Sequence, residues 1–479
     1  MNHQSKIHKI ESKDFKKSIH NKLISHKFND IKEIELSINR NKIKDPFVLY
    51  VFGTARLELN ELDDAEFLLK KSIEMSNLFF EAIVNLAVVF EKKNKIQEAI
   101  RFYKKGLKLR PYHDATLFNI GKIYDRIKKF EKAIMYYRKT LDINPAFSDA
   151  SYNLSQHLLI KGDFKEGWQR YEDRFNVISK ISRVNKPDIS LPFWNLDCKD
   201  SKLFLWAEQG IGDTIFYSSL LNELNENCSS ITCVLEPRLT ELYKRSFPNI
   251  KFGKPGDQYQ EDDFTHQLAI GSIPKFFRNS LEDFSKSPYA YLKADLNRSL
   301  KIQDEIKNKN DFTVGISWTS QGNQKDFKSV DINLIINCLK KLPVKIVNLQ
   351  YGDVNKEISM VKKEHDIDIV QCPSVDIYND FDGLASLMAA CDIVLTTPNV
   401  NQTIASALGV PTFLLLSDDP SFRWLNKGMD SIWHPNTKLF RQDKNGDWTQ
   451  AFNQVSQIIF NLYVQSFQND MNTIKQNIG

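Results

Sequence analysis

Residues 80–111 read FEAIVNLAVVFEKKNKIQEAIRFYKKGLKLRP, and residues 114–145 read DATLFNIGKIYDRIKKFEKAIMYYRKTLDINP. The two segments align at a step of 34 residues (119 − 85 = 34; 153 − 119 = 34), which puts Asn85, Asn119 and Asn153 in one column. Leu86, Ile120 and Leu154 form a second column, and Tyr103, Tyr137 and Tyr171 a third. Ala65, Ala99 and Ala133 make a fourth that ends on Gly167, while Pro111 and Pro145 close two of the units. A period of this size marks stacked supersecondary units. Each unit reads as helix, turn, helix: Phe80–Lys93 with Ile96–Leu109, then Ala115–Ile127 with Phe130–Asp142. The small alanines let two helices approach closely, and Tyr103, Leu107, Tyr137 and Leu141 fill the seam toward the next unit. One such hairpin cannot bury its own apolar face, so three or more must stack.

This period and these positions resemble the tetratricopeptide repeat (TPR), over residues 46–175. The resemblance implies a superhelix whose concave groove recognises a partner protein or an acceptor. A stack that only positions or dimerises the domain behind it is the alternative. Residues 1–45, rich in Lys, His and Asn, are expected to form a basic arm or imperfect opening helices.

The 479 residues exceed one ordinary core, and 42% hydrophobic with 26% charged residues is a globular composition. The 65 basic and 60 acidic residues are interleaved, so the net charge of +5 gives no support to nucleic-acid binding. No apolar run approaches the roughly 18 to 20 residues that span a bilayer, so no transmembrane segment is expected. The start lacks the apolar stretch of a secretory signal. Six scattered cysteines without a C-x-x-C pair read as free thiols in a reducing cytoplasm. The expected location is therefore cytoplasmic.

After Phe175 the period ends and the texture becomes α/β. Apolar runs at Leu203–Ala207, Ile231–Leu235, Thr313–Trp318, Val344–Leu349, Ile393–Thr396 and Phe413–Leu416 alternate with helical stretches, as in parallel sheets covered on both faces. The polar stretch Asn297–Asp311 separates two sets. The expected fold is thus an all-α superhelix followed by two Rossmann-like lobes facing a cleft, residues 176–297 and 298–479. Ligands bind such sheets at the carboxyl ends of the strands.

The first strand runs into Glu208-Gln209-Gly210-Ile211-Gly212-Asp213-Thr214-Ile215. A dinucleotide fingerprint needs a third glycine where Ile215 stands, which disfavours a nucleotide-dependent epimerase or dehydrogenase. What remains is a tight turn carrying two carboxylates. Asp213 could serve as a general base or could simply cap its helix.

Leu191-Pro192-x-Trp194, followed by this Glu208–Thr214 turn, resembles the entry to the glycosyltransferase-like domain fused to TPRs in many bacterial proteins. It is similar to the heptosyltransferase-like and O-GlcNAc-transferase-like families of the two-lobed (GT-B) class. The resemblance implies a metal-independent transfer of a sugar from a nucleotide-sugar donor, a co-substrate rather than a cofactor, to a protein or glycan hydroxyl. Asp213 would be the catalytic base and Glu208 its support, with Gly210 and Gly212 shaping the turn. Trp318, Lys328, Ser329 and Gln350 would line the donor side, Gln350 pointing into the cleft. Asn399, Gln402 and Thr403 would cradle the diphosphate at a helix N-terminus. No Asp-x-Asp occurs in the second lobe, in keeping with a site without metal. One turn departs from the pattern: Pro398, Asn399 and Thr403 stand where the family carries Asp-Thr and a His, and Ser406 replaces a glycine. A catalytically degenerate TPR scaffold that mediates protein–protein interaction is therefore the alternative function.

Overall fold

A computed structural model describes residues 12–40, 43–177, 186–208, 210–308, 311–320, 328–417, 421–443 and 445–478, with side chains to residue 468. Residues 1–11 of the basic N-terminal segment lie outside the described residues. The chain divides into two compact units, Met1–Leu154 and Ser155–Gly479.

The first unit is all helix. Lys13–Ile24 and Phe28–Leu36 open it, and their Ile19 and Ile31 are buried with Ile43 against Val48, Leu49 and Phe52 of the helix Pro46–Glu58. That helix begins where Asp45 caps it, accepting from the amides of Phe47 (2.9 Å) and Val48 (3.2 Å), with Pro46 in the first turn where no amide is needed. Three hairpins follow: Pro46–Glu58 with Leu62–Met75, Phe80–Lys92 with Ile96–Leu109, and Asp114–Arg126 with Phe130–Ile143. Ala65, Ala99 and Ala133 are fully buried at the helix contacts, as the column of small residues requires. Gly121 serves the same end, since a β-carbon there would lie 2.7 Å from the Tyr137 ring. The hairpin turns share a further column. Asn60, Asn94 and Lys128, at φ of 60°, 58° and 56°, hold the left-handed conformation that reverses the chain, and Gly162 continues the series at 86°.

The second unit takes in the end of the helix Ser148–Lys161, the helix Phe164–Tyr171 and the 3₁₀ turn Glu172–Phe175. This last helix has no further repeat to cover it, and its large aromatics pack into the α/β region instead. The Phe164 ring lies 4.8 Å from Phe284, and Trp168 meets Phe422 and Trp433 edge-on at 5.6 and 6.1 Å.

Two parallel sheets follow. β1 (Lys202–Trp206), β2 (Ser230–Val234), β3 (Lys251–Gly253) and β4 (His266–Ala269) form the first, in the order β3-β2-β1-β4. β5 (Thr313–Ser317), β6 (Lys345–Asn348), β7 (Ile369–Val370), β8 (Ile393–Thr396), β9 (Thr412–Leu416) and β10 (Thr437–Arg441) form the second, ordered β10-β9-β8-β5-β6-β7. Each described pairing is parallel, with Leu203 opposite Ile231 and Val314 opposite both Ile346 and Ile393. Every residue of β5, β8 and β9 is buried, which is why they read as unbroken apolar runs. The strand order of the second sheet reverses between β5 and β8, and the crevice at their carboxyl ends is where a doubly wound sheet opens. No described helix is long and apolar enough to cross a membrane.

Candidate functional site

Gln209 lies outside the described residues, but the turn around it is clear. Glu208, 1% exposed, accepts from Arg174 Nε at 2.7 Å, Arg174 Nη2 at 2.9 Å and the Gly271 amide at 2.9 Å. Arg174 is itself fully buried and also reaches Glu172 at 2.6 Å and Ser272 at 2.8 Å. Burial works against its charge, yet the field and bonds of Glu208 prevail and raise its pKa. Glu208 is thus the counter-ion of a buried arginine, which ties the 3₁₀ turn Glu172–Phe175 to the end of β1.

Asp213 sits in the first turn of the short helix Ile211–Tyr217, whose cap is Gly210. It is ion-paired with Arg423, whose guanidinium stacks 4.6 Å from the Phe216 ring. The sequence carries no signal for this pairing, because 210 residues separate the partners.

A cavity of about 540 Å³ gathers six of the expected residues: Gly212, Asp213, Lys328, Asn399, Gln402 and Thr403. The others lie elsewhere. Glu208 is buried as described, and Gly210 lines a separate cavity of about 840 Å³ beside Phe204, Trp206 and Tyr259. Trp318 belongs to the core of the six-stranded sheet, and the Ser329 hydroxyl is bonded to that of Thr319 at 2.9 Å. Residues 321–327 of the expected donor loop lie outside the described residues. Gln350 lines a third cavity, of about 520 Å³, beside Tyr351 and Cys372. Its Oε1 accepts from the Trp318 and Thr319 amides, both at 2.9 Å, and from the Ser317 hydroxyl at 3.1 Å, while its Nε2 donates to Tyr351 O at 3.1 Å.

The turn before the helix Val400–Ala407 is likewise closed by its own side chains. Asn399 Oδ1 takes the Gln402 amide at 3.2 Å, and Asn399 Nδ2 donates to Ser317 (2.8 Å) and to Thr319 O (3.2 Å). Gln402 Nε2 donates to Ser406 at 3.0 Å, and Ser406 pairs with Thr437 at 2.7 Å. One of the helix amides expected to hold a diphosphate, that of Gln402, is thus capped by Asn399.

The TPR unit carries a second candidate. Asn85, Asn119 and Asn153 are half-buried at one position of three successive first helices. Asn119 bonds Tyr103, whose hydroxyl also donates to Glu91 at 3.0 Å. Asn153 donates to Tyr137 at 3.5 Å, and Tyr137 donates to Asp125 at 3.3 Å. Asn85 donates to Thr54 at 2.9 Å. Burial, then the neighbouring carboxylate, raises the pKa of both tyrosines, so they remain neutral hydroxyls. Lys122, over the Phe118 ring at 5.6 Å, shares the Asn119 face, as does exposed Arg126, while Lys92 lies on the Asn85 face.

The fold and these columns define the first unit as a TPR domain, and residues 80–146 match the tetratricopeptide repeat family. Over 321 residues the chain is 27% identical to Protein FlbA of Caulobacter vibrioides, a match covering 62% of this chain and 53% of that protein. The chain thus spans about half the length of the curated relative it matches. Among solved structures, MamA is 21% identical, with a TM-score of 0.29 over 34% of this chain and 94% of its own. YrrB, described as a TPR protein with an unusual peptide-binding site, is 18% identical, with a TM-score of 0.25 over 27% of this chain and 67% of its own.

These comparisons correct the enzymatic expectation. The matching family model is the tetratricopeptide repeat and the curated relative, Protein FlbA, is not described as a glycosyltransferase, so transfer from a nucleotide-sugar donor does not stand. In the structure Asp213 and Glu208 each pair with an arginine, Gln350 bonds the protein's own backbone, and Asn399 caps the Val400–Ala407 helix.

Proposed function

We propose that this protein is a non-catalytic scaffold whose TPR face holds an extended segment of a partner protein. Its two-lobed unit keeps a GT-B-like layout without the chemistry. The supporting observation is the column Asn85, Asn119 and Asn153, half-buried and repeated at one helix position. A carboxamide both donates and accepts, and so matches the paired N–H and C=O of a peptide group. Each asparagine gives a described bond to its own stack, and an NH₂ has a second hydrogen to offer. Lys92, Lys122 and Arg126 on the same faces favour a segment carrying acidic residues. In the second unit, Glu208 and Asp213 serve to hold the Glu208–Asp213 turn in place, and Lys328, Asn399, Gln402 and Thr403 line a cavity that performs no transfer.

The test is selection of peptides from a displayed library on the whole chain, followed by titration calorimetry. Selected peptides should be acidic and should lose at least about tenfold in affinity to Asn85→Ala/Asn119→Ala/Asn153→Ala, the order expected when several buried hydrogen bonds are removed. Equal affinity for the triple variant would defeat the proposal.

A further inference from the structure

The second helices of the three hairpins share an outward stripe. Their packed sides are fixed by buried Leu68 and Leu69, Ile100 and Tyr103, and Tyr137 and Leu141. On the opposite side, positions i, i+3, i+4, i+7 and i+8 fall on one helix face. The helix Leu62–Met75 presents Phe67, Lys70, Lys71, Glu74 and Met75 there. At the 34-residue step the helix Ile96–Leu109 presents Arg101, Lys104, Lys105, Lys108 and Leu109. The helix Phe130–Ile143 presents Met135, Arg138, Lys139, Asp142 and Ile143. None of these residues is buried.

Two chemical features coincide on this face. Lys70, Lys104 and Arg138 form one column of cations and Lys71, Lys105 and Lys139 the next, with Arg101 and Lys108 added on the middle helix. Eight cations stand against the carboxylates of Glu74 and Asp142, a balance of +6 (8 − 2 = 6). Arg101, Lys104, Lys105 and Lys108 make no ion pair among the described residues. Large apolar side chains lie among the cations: Phe67, Met75, Met135 and Ile143 are exposed, and the turns that follow the first two of these helices carry Leu78 (69% exposed) and Tyr112 (80% exposed).

Cations alone would suit any polyanion; the apolar residues select the occupant. At a bilayer surface Lys and Arg meet anionic headgroups while apolar side chains settle beneath them. Single-stranded nucleic acid instead needs rings on which bases stack, and Met75, Leu78, Met135 and Ile143 have none. We infer that this stripe docks the protein on a membrane surface rich in anionic lipid. The second helices carry it and the first helices carry the Asn85 column, so it stands independently of the scaffold reading.

Co-sedimentation of the whole chain with vesicles of phosphatidylcholine containing about 30% phosphatidylglycerol tests this. The chain should bind these vesicles at about 50 mM salt, should leave vesicles of phosphatidylcholine alone in solution unbound, and should be released by about 500 mM salt, as screening requires. Each cation at such a surface is worth up to about fivefold, so Arg101→Gln/Lys104→Gln/Lys105→Gln/Lys108→Gln should weaken binding at least about tenfold. Phe67→Ser/Met135→Ser should weaken vesicle binding about threefold or more and leave any binding of polyuridylate unchanged. All six positions lie off the buried contacts, so both variants should melt as the wild type does. No binding to the anionic vesicles, equal binding to phosphatidylcholine alone, or a Gln variant that binds like wild type would overturn the inference. Tighter binding of polyuridylate than of vesicles, with no effect of Phe67→Ser/Met135→Ser on the vesicles, would overturn it in favour of nucleic acid.

Discussion

Replacing Glu208 by Gln asks whether this carboxylate holds the fold together. The side chain is 1% exposed and accepts three hydrogen bonds, two from fully buried Arg174 and one from the Gly271 amide. Removing one partner of a buried ion pair costs about 3–5 kcal/mol, because the remaining charge has no solvent. Glu172, 2.6 Å from Arg174 Nη1, leaves one counter-charge in place, so Glu208→Gln should fall near the lower end, about 3 kcal/mol. Glu208→Leu also strands the Gly271 amide and should cost about 1–2 kcal/mol more. Arg174→Met/Glu208→Leu removes both charges and should recover at least about 1 kcal/mol relative to Glu208→Leu, since the unpaired charge dominates the penalty. All seven tryptophans fall between Trp168 and Trp448, in the second unit, so urea unfolding followed by tryptophan fluorescence reports that unit alone. A loss below about 1 kcal/mol for Glu208→Gln would refute the reasoning, since it would mean the pair is solvated and replaceable.

Lys128 holds φ of 56° where the equivalent turns carry Asn, Asn and Gly, so Lys128→Gly should stabilise its hairpin by about 1 kcal/mol, read as slower hydrogen exchange in Asp114–Arg126 and Phe130–Ile143. Unchanged or faster exchange would show that the lysine's other contacts outweigh the backbone strain. Burial raises the Glu66 carboxyl, but bonds from Lys70 (2.6 Å) and Lys93 (2.5 Å) win and lower its pKa to about 2. Its contribution is therefore full above the unfolded value near 4.5 and is lost as pH falls toward 2, so the melting-temperature gap between wild type and Glu66→Gln should close over that range. Allowing for screening at this partly open site, the gap corresponds to about 1 kcal/mol. Burial, and then the field of Arg423, lowers the His434 pKa to about 3, and neither ring nitrogen has a hydrogen-bond partner among the described residues. The unfolded chain takes up that proton below about pH 6.5, so the second unit should lose stability from pH 6.5 toward 3, and His434→Phe should lose less; parallel slopes in urea unfolding would contradict this.

Much of the fold was legible because its signals are local and repeated. The 34-residue step, the buried alanines and the tyrosine seam are properties of neighbouring turns of helix, and six of the ten described strands announce themselves as apolar runs. β3, β4, β7 and β10 were missed. β3, with Lys251 exposed, and the two-residue β7 are edge strands too short or too polar to read as buried runs. The polar columns of the first unit were visible too, as Asn85, Asn119 and Asn153, although the matching turn column Asn60, Asn94 and Lys128 went unread.

The site was much less legible. The motif order around Glu208, Asp213, Lys328 and Asn399 drew an enzymatic reading that comparison with known proteins overturned. The sequence by itself determined a repeat stack followed by two parallel sheets, because hydrophobic period and turn chemistry act over a few residues. Only the tertiary structure decided what the polar residues do. Whether a carboxylate is a base or a counter-ion depends on which arginine arrives beside it, and Arg174 and Arg423 reach Glu208 and Asp213 from 34 and 210 residues away. No local pattern encodes that encounter; it is set by how the packed elements bring distant side chains together.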